Sequence, residues 1–493
     1  MTLVPFRQAV VSPRQPVRSD NLLAKRKRAL TGGLAPTLGT LLFVGCASYQ
    51  PHPLVPDKEL AGLRAIGLGN LRIEYTESGA PSEGAPVQFD PRDGLNEAEL
   101  ASVALTINPT LRAKRAEIGE AQALLVSAGL LPNPDIGAFI RPGIGGASGT
   151  ALGLDALFGL LRPDERPARR SLAEAQIELV RAEVAAEELR LVSDVRRVRI
   201  ALLSAEQSVR LIQQELALRD NAVSLVHQQR DLGETTQIAL ALVELDRTIV
   251  QRQVREATAA VEHERRSLNT LLGVPPELEF QLFGSGGDLA FKIVPDLTDE
   301  QIDTRLLAGR SDLRTRLAEY FKAEQELRLA VSQQYPHLGL GPSYEKDVEG
   351  SQGLGLGASI ELPLFDRNQG EIAEKAATRE RKRAEYIATL HDLRAQAFEA
   401  RAQLRRARAE VELEQSEVLP LVQRTEVLFE AAFRAKELSI FEWLTVRARA
   451  VQARRDLLDA LTRYASAAVE LDSATGAPLV TVLTETSDNE SKP

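Results

Sequence analysis

The sequence predicts a mainly α-helical protein with a β-barrel portion, in which each chain contributes four membrane strands. Residues 354–364 alternate strictly between apolar and small or polar side chains, over the roughly 9–11 residues that a tilted strand needs to cross a bilayer. Apolar residues recur at heptad spacing along two very long stretches, as they do in coiled-coil helices. Identical residues at a fixed offset indicate that the first half of the chain is repeated in the second.

The composition favours long helices over ordinary globular domains. Aromatic residues make up 4% of the 493 residues, and Ala, Leu, Arg and Glu dominate. The net charge of −9 comes from interspersed charges of both signs, so no basic face for nucleic acid is expected. A single cysteine excludes an intramolecular disulfide framework.

Residues 1–45 are predicted to be a signal peptide with an N-terminal extension. The basic cluster 25–28 precedes an apolar run at 29–45, which is the order of a secretory signal rather than of a spanning helix. Cys46 follows directly, in a context that resembles the bacterial lipoprotein processing site, so we expect Cys46 to be lipidated. The alternative is a buried free thiol. Residues 46–95 are rich in Pro and Gly and are predicted to form an extended arm.

Residues 96–275 form the first predicted repeat. It begins with one helix from Leu95 to Leu131, which the prolines at 132 and 134 end. Two strands are expected at about 135–141 and 150–160. A long helix from about 167 to Leu232 then stops at Gly233, and a second helix returns from about Gln237 to Leu272.

Residues 301–478 repeat this order after a connector at 276–300, and residues 479–493 are a predicted flexible tail. Leu111 and Pro134 recur at an offset of 202 as Leu313 and Pro336. The second pair of strands is expected at about 337–345 and 353–364, and the second long helix at about 370–433. Asp366 is the predicted N-cap of that helix, with Gln369 completing a capping-box spacing.

Four strands cannot close a barrel, and lipid does not tolerate an open sheet edge. The chain is therefore expected to oligomerise, and the strand number allows a dimer with eight strands or a trimer with twelve. No motif of an enzyme, a phosphate-binding loop or a metal site occurs, and the five histidines are scattered. We therefore predict no enzymatic activity, no cofactor and no metal site.

Two segments resemble the TolC-type outer-membrane efflux proteins: PLFDRNQGEIAEKA at 363–376, and NPTLRAKRAEIGEAQALLVSAGLLPNPDIG at 108–137. The resemblance extends over about residues 97–478, and the sequence of the first segment is most similar to the heavy-metal branch of that family. It implies a homotrimer with a shared barrel of twelve strands and an α-barrel of helical hairpins. It also implies a periplasmic adaptor, an inner-membrane RND pump and an outer-membrane location. The residues that it places at the barrel-to-helix junction are Pro363, Phe365, Asp366, Arg367, Asn368 and Gly370.

The far turns of the two helical hairpins resemble the family's periplasmic entrance, which implies that they bind the adaptor. The residues concerned are Arg230, Asp231, Leu232, Gly233 and Glu234 in the first turn, and Arg434, Lys436, Glu437 and Ser439 in the second. The resulting prediction is the exit duct of an efflux system for small molecules or metal ions. Two alternatives remain open at this point: the outer-membrane channel of a type I polypeptide secretion system, and a coiled-coil scaffold lipoprotein without a pore.

Overall fold

The structure is a computed structural model that describes residues 49–68, 74–75, 87–88, 94–142, 149–160, 162–283, 294–435 and 437–476. The chain divides into two units, Met1–Glu59 and Leu60–Pro493. The predicted signal peptide, Cys46, Lys436 and the predicted C-terminal tail lie outside the described residues.

Helices account for most of the described chain. They are α1 (Pro56–Arg64), α2 (Glu97–Ile107), α3 (Pro109–Ala128), α4 (Glu165–Asp231), α5 (Gln237–Leu272), α6 (Asp299–Gly309), α7 (Ser311–Ser332), α8 (Gln369–Leu413), α9 (Leu419–Arg434) and α10 (Ile440–Thr475). The strands are β1 (Glu74–Tyr75), β2 (Val87–Gln88), β3 (Asp135–Pro142), β4 (Thr150–Leu160), β5 (Leu338–Lys346) and β6 (Gln352–Ile360). With 67 residues at 1.5 Å each, α4 is about 100 Å long.

The predicted heptad seams are the buried faces of the long helices. Val195 and Leu202 of α4 are fully buried, as are Ala397 and Val411 of α8. They belong to one hydrophobic cluster to which α10 also contributes, among other residues, Tyr464. The Tyr464 hydroxyl accepts a hydrogen bond from the backbone N–H of Val294 at 2.8 Å, which fastens the connector to this core.

The single helix predicted at 95–131 is wrong, because the structure has two helices there. Asn108 ends α2 and caps α3, its side chain accepting from the Leu111 N–H at 2.9 Å. Pro109 follows at the first helical position, where its missing N–H costs nothing. The Asn108 amide also donates to the Leu271 carbonyl at 2.9 Å, so the break between the helices holds the end of α5.

The second repeat is built in the same way. Arg310 separates α6 from α7, and its guanidinium donates to the carbonyl of Ser473 near the end of α10. Gly273 and Gly476 cap α5 and α10 with φ of 77° and 76°. A Cβ at Gly273 would lie 2.9 Å from the Cα of Asn108, and one at Gly476 would lie 2.5 Å from the carbonyl carbon of Gly309. Both positions therefore require glycine.

The second long helix also differs from its prediction. It runs from Gln369 to Arg434, but a π-helical segment at Glu414–Val418 divides it into α8 and α9. Pro420 follows this segment, and because proline has no N–H and clashes with the carbonyl four residues earlier, a regular α-helix is disfavoured here. Among the described helices, none has both the length and the apolar character needed to cross a membrane.

Candidate functional site

The long strands form one antiparallel sheet in the order β3-β4-β5-β6. Because the register pairs Ile140 with Leu152, Leu154 with Tyr344 and Tyr344 with Leu354, the even-numbered residues share one face. Apart from the end of the sheet where residues 347–351 join β5 to β6, that face is apolar. Its apolar part consists of Ile136, Ala138, Ile140, Leu152, Leu154, Ala156, Phe158, Leu160, Leu338, Leu340, Pro342, Tyr344, Leu354, Leu356, Ala358 and Ile360. Leu354 and Leu356 remain 88% and 79% exposed.

The opposite face carries mainly small and charged side chains. Its residues are Asp135, Gly137, Phe139, Arg141, Ala151, Gly153, Asp155, Leu157, Gly159, Gly339, Gly341, Ser343, Glu345, Gly353, Gly355, Gly357 and Ser359. The alternation predicted for β3, β4 and β6 is therefore present, and β5 has it as well. An exposed apolar face backed by a small, polar face is the pattern of a barrel wall between lipid and water.

Both edges of this sheet are open. Within the described part of the chain, β3 and β6 each have a neighbouring strand on one side only. The backbone N–H and C=O groups on their outer sides can therefore pair with another strand. The last strand is also shorter than predicted, since β6 ends at Ile360 rather than at 364. The Glu361 N–H still donates to the His337 carbonyl at 3.0 Å, but Pro363 has no N–H with which to continue the ladder.

The junction between sheet and helix uses a left-handed residue in both repeats. Asp164 and Asn368 precede α4 and α8, and they are the two non-glycine residues with positive φ in the described chain, at 61° and 60°. Each is attached to α7: the Asp164 carboxylate accepts two hydrogen bonds of 2.8 Å from Arg328, and the Asn368 amide donates to the Ala330 carbonyl at 3.0 Å. The hydrogen bonds from Arg328 hold the pKa of Asp164 below its usual value.

The capping box predicted at the start of α8 is wrong. The N-cap is Asn368, and its side chain makes no cap hydrogen bond. The Asp366 carboxylate accepts instead from the Asn368 N–H at 2.8 Å, and the Gln369 side chain accepts from the Arg367 N–H at 2.7 Å. These short-range bonds form a turn before the helix rather than a cap.

The other predicted junction residues lie around this turn. Arg367 donates to the Pro363 carbonyl at 3.3 Å, and the Gln369 amide donates to the Phe365 carbonyl at 3.2 Å. The Phe365 side chain itself is 93% exposed. Gly370 is the second residue of α8, and no described atom lies within 4 Å of a Cβ built there.

The first hairpin turn, between α4 and α5, is a glycine-capped helix end. The Glu234 N–H donates to the Gln229 carbonyl at 2.8 Å, and the Gly233 N–H donates to the Arg230 carbonyl at 2.9 Å. With φ of 77° at Gly233, this is a Schellman motif. Leu232 is 75% exposed at its tip.

Charged side chains flank this first turn. The Arg230 guanidinium donates to the Asp231 carboxylate at 2.6 Å, and His227 Nδ1 lies 3.3 Å from the other Asp231 oxygen. The hydrogen bond from Arg230 is the main reason why the pKa of Asp231 is below its usual value.

The second hairpin turn, between α9 and α10, shares one backbone hydrogen bond with the first. The Glu437 N–H donates to the Ala432 carbonyl at 2.9 Å, matching the bond from Glu234 in the first turn. Ser439 then caps α10 in a capping box with Glu442, as Thr236 caps α5 by accepting from the Ala239 N–H at 3.2 Å. Arg434, the last residue of α9, donates to Glu430 at 3.1 Å.

The structure brings the two turns together. One small hydrophobic cluster holds Val226 of α4, Leu240 of α5 and Leu444 of α10, with Phe433 packed against it. The residues predicted at the two tips therefore belong to one end of the helical bundle, as the duplicated hairpins require.

Sequence reasoning missed an ion-pair network beside the second turn. The Trp443 indole N–H and the Arg447 guanidinium donate to the Glu430 carboxylate at 2.8 and 2.9 Å. Arg447 and Arg454 both donate to Glu426, which is buried, at 3.2 and 2.7 Å. The donated bonds, that from Trp443 first, hold the pKa of Glu430 below its usual value. The sequence feature that could have indicated this network is the chain's single tryptophan, Trp443, which follows two glutamates spaced by four, Glu426 and Glu430.

The geometry provides no site for a bound metal ion in the part of the chain that can be described. No group of three or more His, Cys, Asp or Glu side chains there is arranged to hold one. The five histidines belong to different elements: His52 and His337 to loops, His227 to α4, His263 to α5 and His391 to α8.

Comparisons with known proteins agree with this architecture. No protein-family model matches the chain. The chain is 23% identical over 399 residues to the cobalt-zinc-cadmium resistance protein CzcC of Cupriavidus metallidurans, covering 80% of this chain and 91% of CzcC.

Two solved structures with a similar fold are the Campylobacter jejuni CmeC outer membrane channel and the open state of the Neisseria gonorrhoeae MtrE outer membrane channel. CmeC matches with a TM-score of 0.65 at 16% identity, over 78% of this chain and 87% of CmeC. MtrE matches with a TM-score of 0.63 at 16% identity, over 83% of this chain and 96% of MtrE. The predicted fold class is therefore confirmed: the chain has the fold of the TolC-type outer-membrane channels.

Proposed function

We propose that this chain is one protomer of a homotrimeric outer-membrane channel that serves as the exit duct of a tripartite RND-type efflux system. The observation that carries the proposal is the four-stranded sheet with one exposed apolar face, one small, polar face and two open edges. The apolar face contacts lipid, and β6 pairs with β3 of a neighbouring protomer, so that neither edge strand stays unpaired. Three protomers supply twelve strands, whose polar faces line a water-filled bore.

The helical hairpins extend from this barrel into the periplasm, and their tips bind a periplasmic adaptor. Residues next to the two turns share one hydrophobic cluster at one end of the bundle, and the first turn presents the exposed Leu232 together with the charged pair Arg230 and Asp231. Such a tip offers an apolar contact within a polar rim, as interaction surfaces do. An inner-membrane pump supplies the energy, and the channel itself is a passive path.

Cys46 anchors the chain by acyl groups in the outer membrane, and residues 46–95 form the arm that connects this anchor to the first repeat. The support lies in the sequence: the basic cluster and apolar run before the chain's only cysteine. Lipidation adds to the hold of the strands on the membrane and does not replace it.

The cargo class is small solutes, with metal cations as the first to test. CzcC is named for resistance to cobalt, zinc and cadmium. The small, polar face of the sheet is the inner face of the proposed barrel. Among its described strand residues, the carboxylates Asp135, Asp155 and Glu345 outnumber the one cation, Arg141. Carboxylates that line a pore raise the local concentration of cations and favour their passage.

Single-channel recording tests the proposal. The purified oligomer is expected to form discrete conductance steps in planar bilayers, with cations passing more readily than anions. Asp155→Asn should lower that cation preference, whereas the matched change Asp194→Asn on α4, away from the sheet, should not. An oligomer that inserts into bilayers and carries no current would overturn the channel and favour the coiled-coil scaffold.

A further inference from the structure

Two large apolar side chains stand on the inner face of the sheet, where glycine and serine predominate. Of the described strand residues on that face, Phe139 on β3 and Leu157 on β4 are the large apolar ones. A barrel interior filled with water gives no hydrophobic reason to place a phenylalanine there. Its surroundings show how the wall accommodates it.

The Phe139 ring lies against the wall, over a glycine. Phe139 is paired with Gly153 across β3 and β4, and a Cβ built on Gly153 would lie 2.0 Å from Cε1 and 2.5 Å from Cζ of the ring. The ring therefore occupies the volume that any other side chain at 153 would need. The Arg141 guanidinium carbon lies 5.4 Å from the ring centroid, within cation–π range, and holds the ring from a neighbouring position on the same face.

Leu157 lies less closely over glycine than Phe139 does, and the short approach at Gly341 is to backbone atoms. A Cβ at Gly357 would lie 3.4 Å from Leu157 Cδ2, and one at Gly341 would lie 3.1 Å from Leu157 Cα and 1.7 Å from the Ala156 carbonyl oxygen. Not every glycine of the inner face has this role. At Gly353, on β6, no described atom lies within 4 Å of the added Cβ.

We propose that Phe139 and Gly153 together set the usable width of the bore near the external end of the barrel, and so the size of solute that can leave. The proposal rests on the proposed channel function. Because Gly153 has no side chain, it leaves a recess in which the ring lies flat against the sheet. In a trimer the pair occurs three times around the bore, so any side chain at 153 displaces three rings toward the axis at once.

Phe139 lies nearer the loop end of the sheet than Ser359 does. The chain runs along β3 from the helix side toward the end of the sheet where residues 347–351 join β5 to β6, and β6 returns to the helix side at Ile360. Ser359 is therefore on the inner face close to the junction, and it is exposed. A reagent that enters from outside must pass the Phe139 rings before it reaches this position.

Thiol labelling from outside the cell tests the proposal without depending on the width of the distant periplasmic entrance. The reporter is Ser359→Cys, and cells with the unaltered chain, whose one cysteine is Cys46, supply the background. Membrane-impermeant maleimides of increasing size are added to intact cells, and the rate of labelling at position 359 is measured for each. Oligomer yield is measured in the same cells.

Gly153→Val in this background is expected to slow labelling by the bulky maleimides about tenfold or more, and to leave the smallest reagent nearly unaffected. Adding Phe139→Ala to Gly153→Val should restore the labelling, because the displaced ring is gone. Gly353→Val is the matched control on the same face and should label like the reporter alone. Phe139→Ala alone should admit bulkier reagents than the reporter does, and it keeps the test valid where Gly153→Val fails to assemble.

Three outcomes would overturn the proposal. Bulky reagents could label assembled Gly153→Val at the reporter's rate, which would mean that the ring over the glycine serves only the packing of the sheet. The slow labelling could persist after Phe139→Ala is added, or Phe139→Ala alone could leave the size limit unchanged. Failure of the channel itself is distinguishable, because even the smallest reagent would then not reach position 359 in the reporter.

Discussion

Two glycines with the same backbone conformation and different surroundings allow a sharp test of how the helical hairpins are held together. Gly233 caps α4 at the hairpin tip, and Gly273 caps α5 at the other end of that hairpin, both with φ of 77°. No described atom lies within 4 Å of a Cβ at Gly233, whereas a Cβ at Gly273 would lie 2.9 Å from Asn108 Cα, 2.9 Å from Pro109 Cδ and 3.0 Å from the Ile107 carbonyl oxygen. Alanine at either position adds the same methyl group.

The expected costs follow from these two environments. A left-handed alanine costs roughly 1–2 kcal/mol relative to glycine, and Gly233→Ala should cost no more than that. Gly273→Ala adds overpacking against backbone atoms that cannot rotate away, typically another 1–3 kcal/mol, for a total of about 2–5 kcal/mol. Gly476→Ala in the second repeat should resemble Gly273→Ala, because its Cβ would lie 2.5 Å from the carbonyl carbon of Gly309 and 2.7 Å from the Arg310 nitrogen.

The assay is denaturant unfolding of the purified, detergent-solubilised protein, followed by its helical circular dichroism. The three variants and the unaltered chain are compared at one protein concentration, since dissociation of an oligomer depends on it. We expect a small loss of stability for Gly233→Ala and larger, similar losses for Gly273→Ala and Gly476→Ala. A loss for Gly233→Ala as large as that for Gly273→Ala would refute the packing argument and leave backbone strain as the whole effect.

The remaining predictions concern the sheet, the tip and the ion-pair network. Leu356→Arg on the apolar face should cost about 2–4 kcal/mol if it lies near the bilayer midplane, and Gly357→Arg on the inner face should reduce oligomer yield in membranes less; equal yields would show that the two faces are assigned wrongly. Leu232→Ser at the exposed tip should leave oligomer yield unchanged and weaken cross-linking to the adaptor; normal cross-linking and normal resistance would make the tip a plain surface turn. The folded-state pKa of Glu430 is below its usual value, so the stability that its ionised form adds is present above the glutamate pKa of the unfolded chain and is lost as pH falls through the lower folded value. Between neutral and acidic pH, the unfolding midpoint of Glu430→Gln should therefore depend less on pH than that of the unaltered chain. An unchanged pH profile would show that Glu430 does not contribute to this dependence.

The strands and the long helices were predictable because their residues repeat a simple pattern. Leu354, Leu356 and Ile360 alternate with small residues, and Ala397 and Val411 keep a heptad spacing, so period alone identifies the buried or exposed face. The offset of about 202 residues also predicted that the two halves fold alike. The structure confirms this down to equivalent close approaches, of Gly273 to Asn108 and of Gly476 to Arg310.

The features that the sequence did not reveal depend on contacts or on competing local bonds. Asn108 can cap a helix from inside a helical pattern, and Pro109 can begin one, so the break between α2 and α3 was hidden in continuous apolar spacing. Asp366 and Gln369 have capping-box spacing, yet their side chains bond to the preceding turn instead. The network of Glu426 and Arg447 joins residues of two helices whose contact only the folded hairpin creates.

In the proposed channel, the open edges of the sheet pair between protomers to close a barrel. Because Cys46 is the chain's one cysteine, cross-linking can be directed by adding cysteines to the two edges. Ala138→Cys on β3 is combined in turn with Leu356→Cys, Ala358→Cys and Ile360→Cys on β6, and each single variant serves as its control. After mild oxidation in membranes, at least one pair should give covalent dimers and trimers and nothing larger, and the native mass of the detergent-solubilised protein should be three times that of the chain. A monomeric mass, or no cross-linked species in any of the three pairs, would contradict the shared barrel.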